Sequence, residues 1–343
     1  MQMKNKIGFI AVGQAGGNIG QQFEKRGYPV LYINTSQEDL DTLKNSKYVY
    51  HITNGDGANK NRDKAKQLVI EDYDNIAAMI DKVVDSDILF VLFSSGGGTG
   101  SGSGPMLIDL LTGEGRQVGA VTILPQAEES VKTQFNAYEC FKELINLDKM
   151  ASLFILDNSR EDKFKINENF VELFCSYIAI PQNYISDKGN IDDAEIKETL
   201  LTTGVSCIIS TEKTDIAQLI QSIKNNIYAP IEATSVKYIA LAADESLGST
   251  ELNELHKAVN VPLDEYRAYT DGNCIIFLAG LPYPAERLDS IHSLIVHNKD
   301  IVIANSKRDK TELKNDLDFW ETATKPRAEP KSKRDIMAKY LKK

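Results

Sequence analysis

Residues 95–102 read Ser-Gly-Gly-Gly-Thr-Gly-Ser-Gly, directly behind an uninterrupted apolar run at 88–93 and ahead of a stretch, 104–111, that can open a helix. A buried strand followed at once by a glycine-rich turn and a helix leaves few choices for the fold or for the turn. Without Cβ atoms, backbone N–H groups can close on the oxygens of a phosphate. A helix starting behind them adds the positive end of its dipole. Thr99 and Ser101 add hydroxyl donors. A flexible linker has a similar composition, but linkers do not sit between a buried strand and a helix of an alternating domain.

The alternation runs through the first half of the chain. Ile7–Val12, 30–33, 88–93, 118–124 and 153–156 are apolar runs; 18 onward, 63–84, 104–111 and 129–147 have helical spacing between them. Such a pattern predicts an α/β fold built on a Rossmann-like parallel sheet covered on both faces. Ligands of these folds lie at the carboxyl ends of the strands. Here those ends are Gly13, Asn34, Ser94, Pro125 and Asp157 onward. A buried connecting helix at 167–180 carries Phe170, Leu173, Phe174, Tyr177 and Ile178 in step and stops or bends near Pro181. Strand candidates at 206–210, 236–241, 273–279 and 301–303 predict a smaller α+β module, and 308–322 reads as a polar outer helix.

Gly13-Gln14-Ala15-Gly16-Gly17-Asn18-Ile19-Gly20 follows the first strand as the glycine loop follows the later one. It is not G-x-G-x-x-G, and Asn34-Thr35 stands where a dinucleotide-binding domain ends its second strand with an acid, which disfavours a dehydrogenase. No G-K-[ST] of a Walker loop is present.

The 42% hydrophobic and 26% charged shares are those of a soluble globular chain, and no apolar stretch approaches membrane-spanning length. Without a signal region, the expectation is a cytoplasmic protein with no membrane insertion. Cys140, Cys175, Cys207 and Cys274 lack ligand or disulfide spacing and read as buried core residues of a reducing compartment. His51, His256, His292 and His297 form no zinc pattern. Residues 325–343 hold eight Lys/Arg against two Asp/Glu, so a net charge of −10 leaves −16 on the other 324 residues.

These motifs, in this order, resemble the tubulin/FtsZ GTPase superfamily. Residues 96–102 resemble its signature loop. Gly13, Gln14, Ala15, Gly17 and Asn18 resemble its first nucleotide loop, and Asn34-Thr35-Ser36-Gln37 its second. Gly55-Asp56-Gly57-Ala58-Asn59 resembles the third, which senses the γ-phosphate; 125–129 resembles the ribose-contacting fifth, with Glu129 at the family's glutamate. The resemblance implies GTP or GDP held by Gly13, Gln14, Ala15, Gly17, Asn18, Gly57, Ala58, Gly96, Gly97, Gly98, Thr99, Gly100 and Glu129. Asn158 and Asn169 would read the guanine edge, with Asn167 as competitor for the second place. Thr133 stands where FtsZ has an arginine, which puts one contact to the terminal phosphate in doubt. Magnesium is implied by the chemistry; Gln14 and Asp56 are outer-shell candidates, and no metal ligand is assigned.

Gly189-Asn190-Ile191-Asp192-Asp193-Ala194-Glu195 resembles the FtsZ loop that completes the nucleotide site of the next subunit. Asp192 and Glu195 would orient the attacking water and Asn190 would hold the loop, with Glu for the family's last Asp making Asp192 the stronger candidate. Locally, Asp-x-x-Glu ahead of Ile196, Leu200 and Leu201 also marks a capping-box helix start, and the two roles are compatible. The expected organisation is a nucleotide-binding GTPase domain at 1–166, a connecting helix and turn at 167–188, an activating and assembly domain at 189–305, a helix at 306–324 and a basic flexible tail at 325–343. Within the superfamily the basic end and Thr133 resemble the plasmid- and phage-encoded TubZ branch. That implies a filament of identical subunits that partitions DNA, with the tail on a DNA-binding adaptor. An FtsZ-like division scaffold is the alternative.

Overall fold

Ten strands form one continuous sheet in the computed structural model, which describes residues 2–232 and 235–308. The strands are β1 Ile7–Val12, β2 Val30–Asn34, β3 Val49–His51, β4 Ile88–Ser94, β5 Gln117–Leu124, β6 Ser152–Asp157, β7 Gly204–Thr211, β8 Tyr238–Ala243, β9 Asp264–Tyr269 and β10 Cys274–Leu281. Their order is β3-β2-β1-β4-β5-β6-β7-β10-β8-β9, parallel from β3 to β7, with β10 antiparallel to both of its neighbours. β1, β4, β5 and β6 are buried almost throughout, which is why they read as continuous apolar runs. The helices are α1 Gly13–Lys25, α2 Gln37–Asp41, α3 Arg62–Glu71, α4 Tyr73–Val83, α5 Thr99–Gly113, α6 Val131–Leu144, α7 Lys163–Ile178, α8 Ile180–Asn183, α9 Asp193–Leu201, α10 Ile216–Lys224, α11 Ser249–Val259 and α12 Ala285–Arg308.

α1 and α7 cover one face through an aromatic cluster. Phe174 of α7 lies 5.4 Å from Phe23 of α1, 5.9 Å from Phe9 of β1 and 5.6 Å from Phe90 of β4, all edge-on. Such pairs add roughly 0.5–1.5 kcal/mol beyond their area. α5 covers the other face, with the Phe93 ring under Gly104. α3 and α6 pack on α5, and α12 packs on α6.

Pro105 lies inside α5 and has no N–H for the carbonyl of Ser101 four residues back. Arg62 fills that place: its Nη2 donates to Ser101 O at 3.0 Å and its Nε at 3.3 Å. The same Nη2 reaches Glu143 Oε2 of α6 at 2.9 Å, and Lys66 Nζ reaches Glu143 Oε1 at 2.5 Å. Burying a guanidinium costs several kcal/mol, offset only by geometry this complete.

Several boundaries differ from the sequence reading. α1 begins at Gly13, not Asn18, so most of the first glycine segment is helix. The stretch 63–84 is two helices that part at Asp72, whose carboxylate accepts from Thr53 N at 2.8 Å, Tyr50 OH at 2.7 Å and Asn75 Nδ2 at 2.7 Å. Residues 301–303, expected as a strand, lie inside α12; a short β-branched run does not separate strand from helix by itself. The edge strands β3 and β9 carry too few buried residues to announce themselves. Cys140, Cys207 and Cys274 are buried as expected, whereas Cys175 is half-buried on α7. The outer helix at 308–322 and the tail lie outside the described residues, apart from Arg308 itself.

Arg62→Met is expected to cost about 1–3 kcal/mol, because it leaves the Ser101 carbonyl without a donor and Glu143 with Lys66 alone. Adding Pro105→Ala, which returns an amide to that carbonyl, should recover about 1 kcal/mol. Urea denaturation midpoints measure both, and a double variant no more stable than the single one would refute the carbonyl argument.

Candidate functional site

The loops at the carboxyl ends of β1, β2, β4, β5 and β6 converge on one edge of the sheet. Gly13 has φ +72°, and a Cβ there would meet Gly100 N at 3.3 Å, so the first and fourth loops touch backbone to backbone. Gly16 lies against the Leu92 carbonyl of β4 so closely that no side chain fits. Thr35 Oγ1 and Thr99 Oγ1 are 2.8 Å apart, which ties the second loop to the first turn of α5. Gly57 N donates to Thr35 O at 2.8 Å and brings in the third loop.

Asn136 of α6 decides how the phosphate-type loop presents itself. Its Nδ2 donates to Gly97 O at 2.8 Å, Lys60 O at 3.1 Å and Gly96 O at 3.4 Å. In a trans peptide the N–H points opposite to the preceding carbonyl. Drawing the Gly96 and Gly97 carbonyls towards Asn136 therefore turns the Gly97 and Gly98 amides the other way. Those amides donate to no acceptor among the described residues, and a Cβ on Gly97 would meet nothing within 4 Å. Together with the first-turn amides of α1 and α5 they make a concave set of donors, shaped for a polyanion.

On the β5–β6 side, Asn158 is half-buried, with its amide donating to Leu124 O at 3.1 Å and its carbonyl accepting from Gln126 Nε2 at 2.9 Å. Its Oδ1 is buried without a donor, as is the Oε1 of Gln134, whose Nε2 donates to Gln126 O at 2.5 Å. Glu129 is exposed and accepts from Gln126 N at 3.1 Å. On α7, Asn169 is exposed, whereas Asn167 is buried with an Oδ1 that has no donor. Gln14 is exposed, Ala58 buried and Asn18 half-buried. Asp56 is engaged by Lys64.

Arg287 of α12 locks this side. Its Nε donates to Asp157 Oδ2 at 2.7 Å and its Nη2 to Pro125 O at 2.7 Å, while Asp157 Oδ1 takes the Ser159 amide at 3.0 Å. Asp157 is fully buried, so this ion pair sets the position of both loops. Arg62, Asn136 and Arg287 were all missed in the sequence. Each works through backbone carbonyls or a partner far along the chain, and no local spacing signals that.

Asn190, Asp192 and Glu195 form a second group. Asp192 is the N-cap of α9: its Oδ1 accepts from Ala194 N at 2.8 Å and Glu195 N at 3.0 Å, and Glu195 Oε2 accepts from Asp192 N at 2.9 Å. Asn190 Oδ1 accepts from Ser186 N at 2.8 Å and so holds the loop. Burial, followed by the charges of Asp192, Asp264 and Glu198, raises the pKa of Glu195 above the ordinary glutamate value, against the lowering effect of the Asp192 amide. This group does not meet the loops above. α7 starts just after the β6 loop, and its 16 residues cover about 24 Å at 1.5 Å per residue. Its far end, through Tyr177, bonds Thr199 of α9 at 2.6 Å, and the Thr199 carbonyl accepts from Ser152 at the amino end of β6.

Residues 6–162 match the Tubulin/FtsZ family, GTPase domain. Beyond that span, the tubulin-like protein TubZ of Clostridium botulinum C phage is 30% identical over 290 residues, 81% of this chain and 80% of the relative. The chain belongs to the tubulin/FtsZ GTPase family. Within the family, the tubulin-like protein CetZ of Pyrococcus furiosus is 27% identical over 318 residues, 83% of each chain. The solved tail-truncated TubZ of Clostridium botulinum phage c-st superposes with a TM-score of 0.78 at 27% identity, over 87% of this chain and 99% of that one. A GTPγS-form protofilament of TubZ from Bacillus thuringiensis serovar israelensis shares the fold, with a TM-score of 0.76 at 18% identity, over 90% and 95%. Among the described residues no helix is long and apolar enough to cross a membrane.

Arg287→Ala is expected to cost about 3–5 kcal/mol by leaving Asp157 charged and unpaired, and Arg287→Lys should recover little because it lacks the fork. Thermal denaturation checks the first; hydrogen exchange of the amides at 158–160, faster in both variants, checks the link to the loop.

Proposed function

We propose that this chain binds GTP along the loops following β1 to β6, assembles head to tail, and hydrolyses GTP only where the loop 189–195 of one subunit meets the nucleotide of the next. The observation that carries the reading is the distance: Asp192 and Glu195 sit at the opposite end of α7 from the donor loops. One molecule cannot bring its own acids to its own phosphates. On this reading residues 1–166 hold the nucleotide and 189–305 supply the activating surface.

The phosphates would lie on the amides of Gly97, Gly98 and Thr99 and on the first turn of α1, with Gly13 and Gly57 bringing the flanking loops close. The buried, donorless Oδ1 of Asn158 suits a ring N–H of guanine, and supplying a donor would remove a cost of about 1–3 kcal/mol. Asn167 and Asn169 are the two candidates on α7 for the second amide.

Among the described residues no three acids, histidines or cysteines converge on a metal. Thr35 and Thr99 bring two neutral hydroxyl oxygens together at the loop, a setting suited to magnesium that arrives on the triphosphate and keeps most of its water, with Gln14 and Asp56 as outer-shell candidates. When bound, that ion supplies charge neutralisation at the β- and γ-phosphates. Asp192 keeps Oδ2 free of the cap bonds and so can face a neighbour's water while still starting α9. Positioning of that water is a sufficient protein contribution to phosphoryl transfer.

The phage origin of the TubZ relative and the basic segment 325–343 support a filament that partitions plasmid or phage DNA through an adaptor bound to the tail. A charged tail of this kind would bind in a salt-sensitive way.

Turnover per molecule should rise steeply with protein concentration, read as phosphate release alongside light scattering. Asp192→Ala should bind GTP, release no phosphate and leave persistent filaments. Turnover independent of concentration, or normal turnover in Asp192→Ala, would sink the composite site. The acid limb of turnover should fall above that of an ordinary carboxylate, because the raised pKa of Glu195 keeps it protonated to higher pH. Glu198→Gln, which removes one of the raising charges, should move that limb to lower pH.

A further inference from the structure

Most cations of the loop 52–61 and the helix behind it are matched: Lys64 pairs with Asp56, and Arg62 and Lys66 share Glu143. Lys60 is different. Its Nζ donates to Thr133 Oγ1 at 2.7 Å and Ser130 Oγ at 3.1 Å, two neutral hydroxyls that are also 2.9 Å from each other. Among the described residues no carboxylate pairs with it. Those hydroxyls stand on the first turn of α6, and the Thr133 methyl packs directly against Gly96.

The backbone is held there at a cost. Asn59 and Lys60 have φ of +46° and +56°, a left-handed pair without glycine. Such residues carry backbone strain and persist only where their surroundings dictate it. Here Asn136 binds Lys60 O at 3.1 Å, Lys132 Nζ donates to Asn59 O at 3.2 Å, and Gly98, having no Cβ, lets the Lys60 backbone lie against the phosphate loop. Strain, a shared carbonyl clamp and an unmatched ammonium therefore coincide at the seam of the third and fourth loops. That loop enters from the β2–β3 side of the edge, whereas Asn158 and Glu129 enter from the β5–β6 side. A nucleotide laid along the edge with its base at Asn158 turns its last phosphate towards Lys60.

We propose that Lys60 is the residue by which this chain distinguishes a nucleoside triphosphate from a diphosphate: its ammonium exchanges the hydroxyls of Ser130 and Thr133 for the terminal phosphate. The inference rests on the guanine-nucleotide reading above. A charge-assisted bond made to one of the two ligands only should separate their affinities by roughly ten- to a hundredfold.

The test is competition of GTPγS and of GDP against a fluorescent guanosine diphosphate, at protein concentrations below assembly. Lys60→Met should lose roughly ten- to a hundredfold for GTPγS and keep GDP affinity within about twofold, with Lys60→Arg regaining most of the loss. Lys142→Met, which removes an equal charge from α6 where it pairs with Glu139 away from this seam, should leave the GTPγS-to-GDP ratio unmoved. Equal losses for both nucleotides in Lys60→Met, no loss for either, or the same ratio change in Lys142→Met would overturn the assignment. In each of these cases wild-type binding still stands, whereas a wild-type chain that binds neither nucleotide would remove the parent reading as well.

Discussion

The approach of α1 and α5 to the backbone of the sheet is the constraint on which the rest depends. Gly16 sits on the Leu92 carbonyl, and Gly100 faces the Ser94 and Val12 carbonyls, to each of which a Cβ would come within 3.2 Å. Helices seated this low bring their amino ends level with the strand ends. A methyl group at either place would lift a helix off the sheet and separate the loops that it starts. The same closeness lets Thr35 reach Thr99 and lets Gly13 touch Gly100. Fine placement of the donor set is thus a consequence of packing, and packing here is a consequence of missing atoms.

Two buried cations then fix what the glycines permit. Arg62 repairs the carbonyl that Pro105 leaves open and fastens α3 and α5 to α6. Arg287 does the equivalent for the loops after β5 and β6 from a helix more than a hundred residues later in the chain. Each is costly to bury and is offset only by bonds to fixed backbone and carboxylate oxygens, so each reports whether the loops around it are in place. The nucleotide-type edge is in this sense built from both ends of the chain.

Much of this was legible in the sequence, and the reasons differ from element to element. The parallel strands announced themselves because burial on both faces needs apolar residues at every position, and the order of loops after them pointed to the family. Asp192 and Glu195 were legible as a helix start because a capping box has fixed spacing, and the structure shows those bonds. The strand expected at 301–303 failed because three β-branched residues fit a helix face equally well. Asn136 and Lys60 stayed invisible because their work is directed at carbonyls and hydroxyls of other segments; no periodicity records such a partner. Asp72 looked like one polar residue in a long helix, yet it ends that helix to serve Thr53 and Tyr50.

α7 has a further meaning once its length is set beside its surroundings. It joins the donor edge to the acidic loop, and Phe170, Phe174 and Tyr177 on its inner side are packed among rings of both halves of the sheet, Phe9, Phe90 and Phe277 included. Close-packed interiors compress very little. In a chain of subunits stacked end to end, axial force entering at one contact would pass through this rod to the next contact. On the proposed assembly, the element that keeps acids and phosphates apart within one molecule would also give a row of molecules its stiffness.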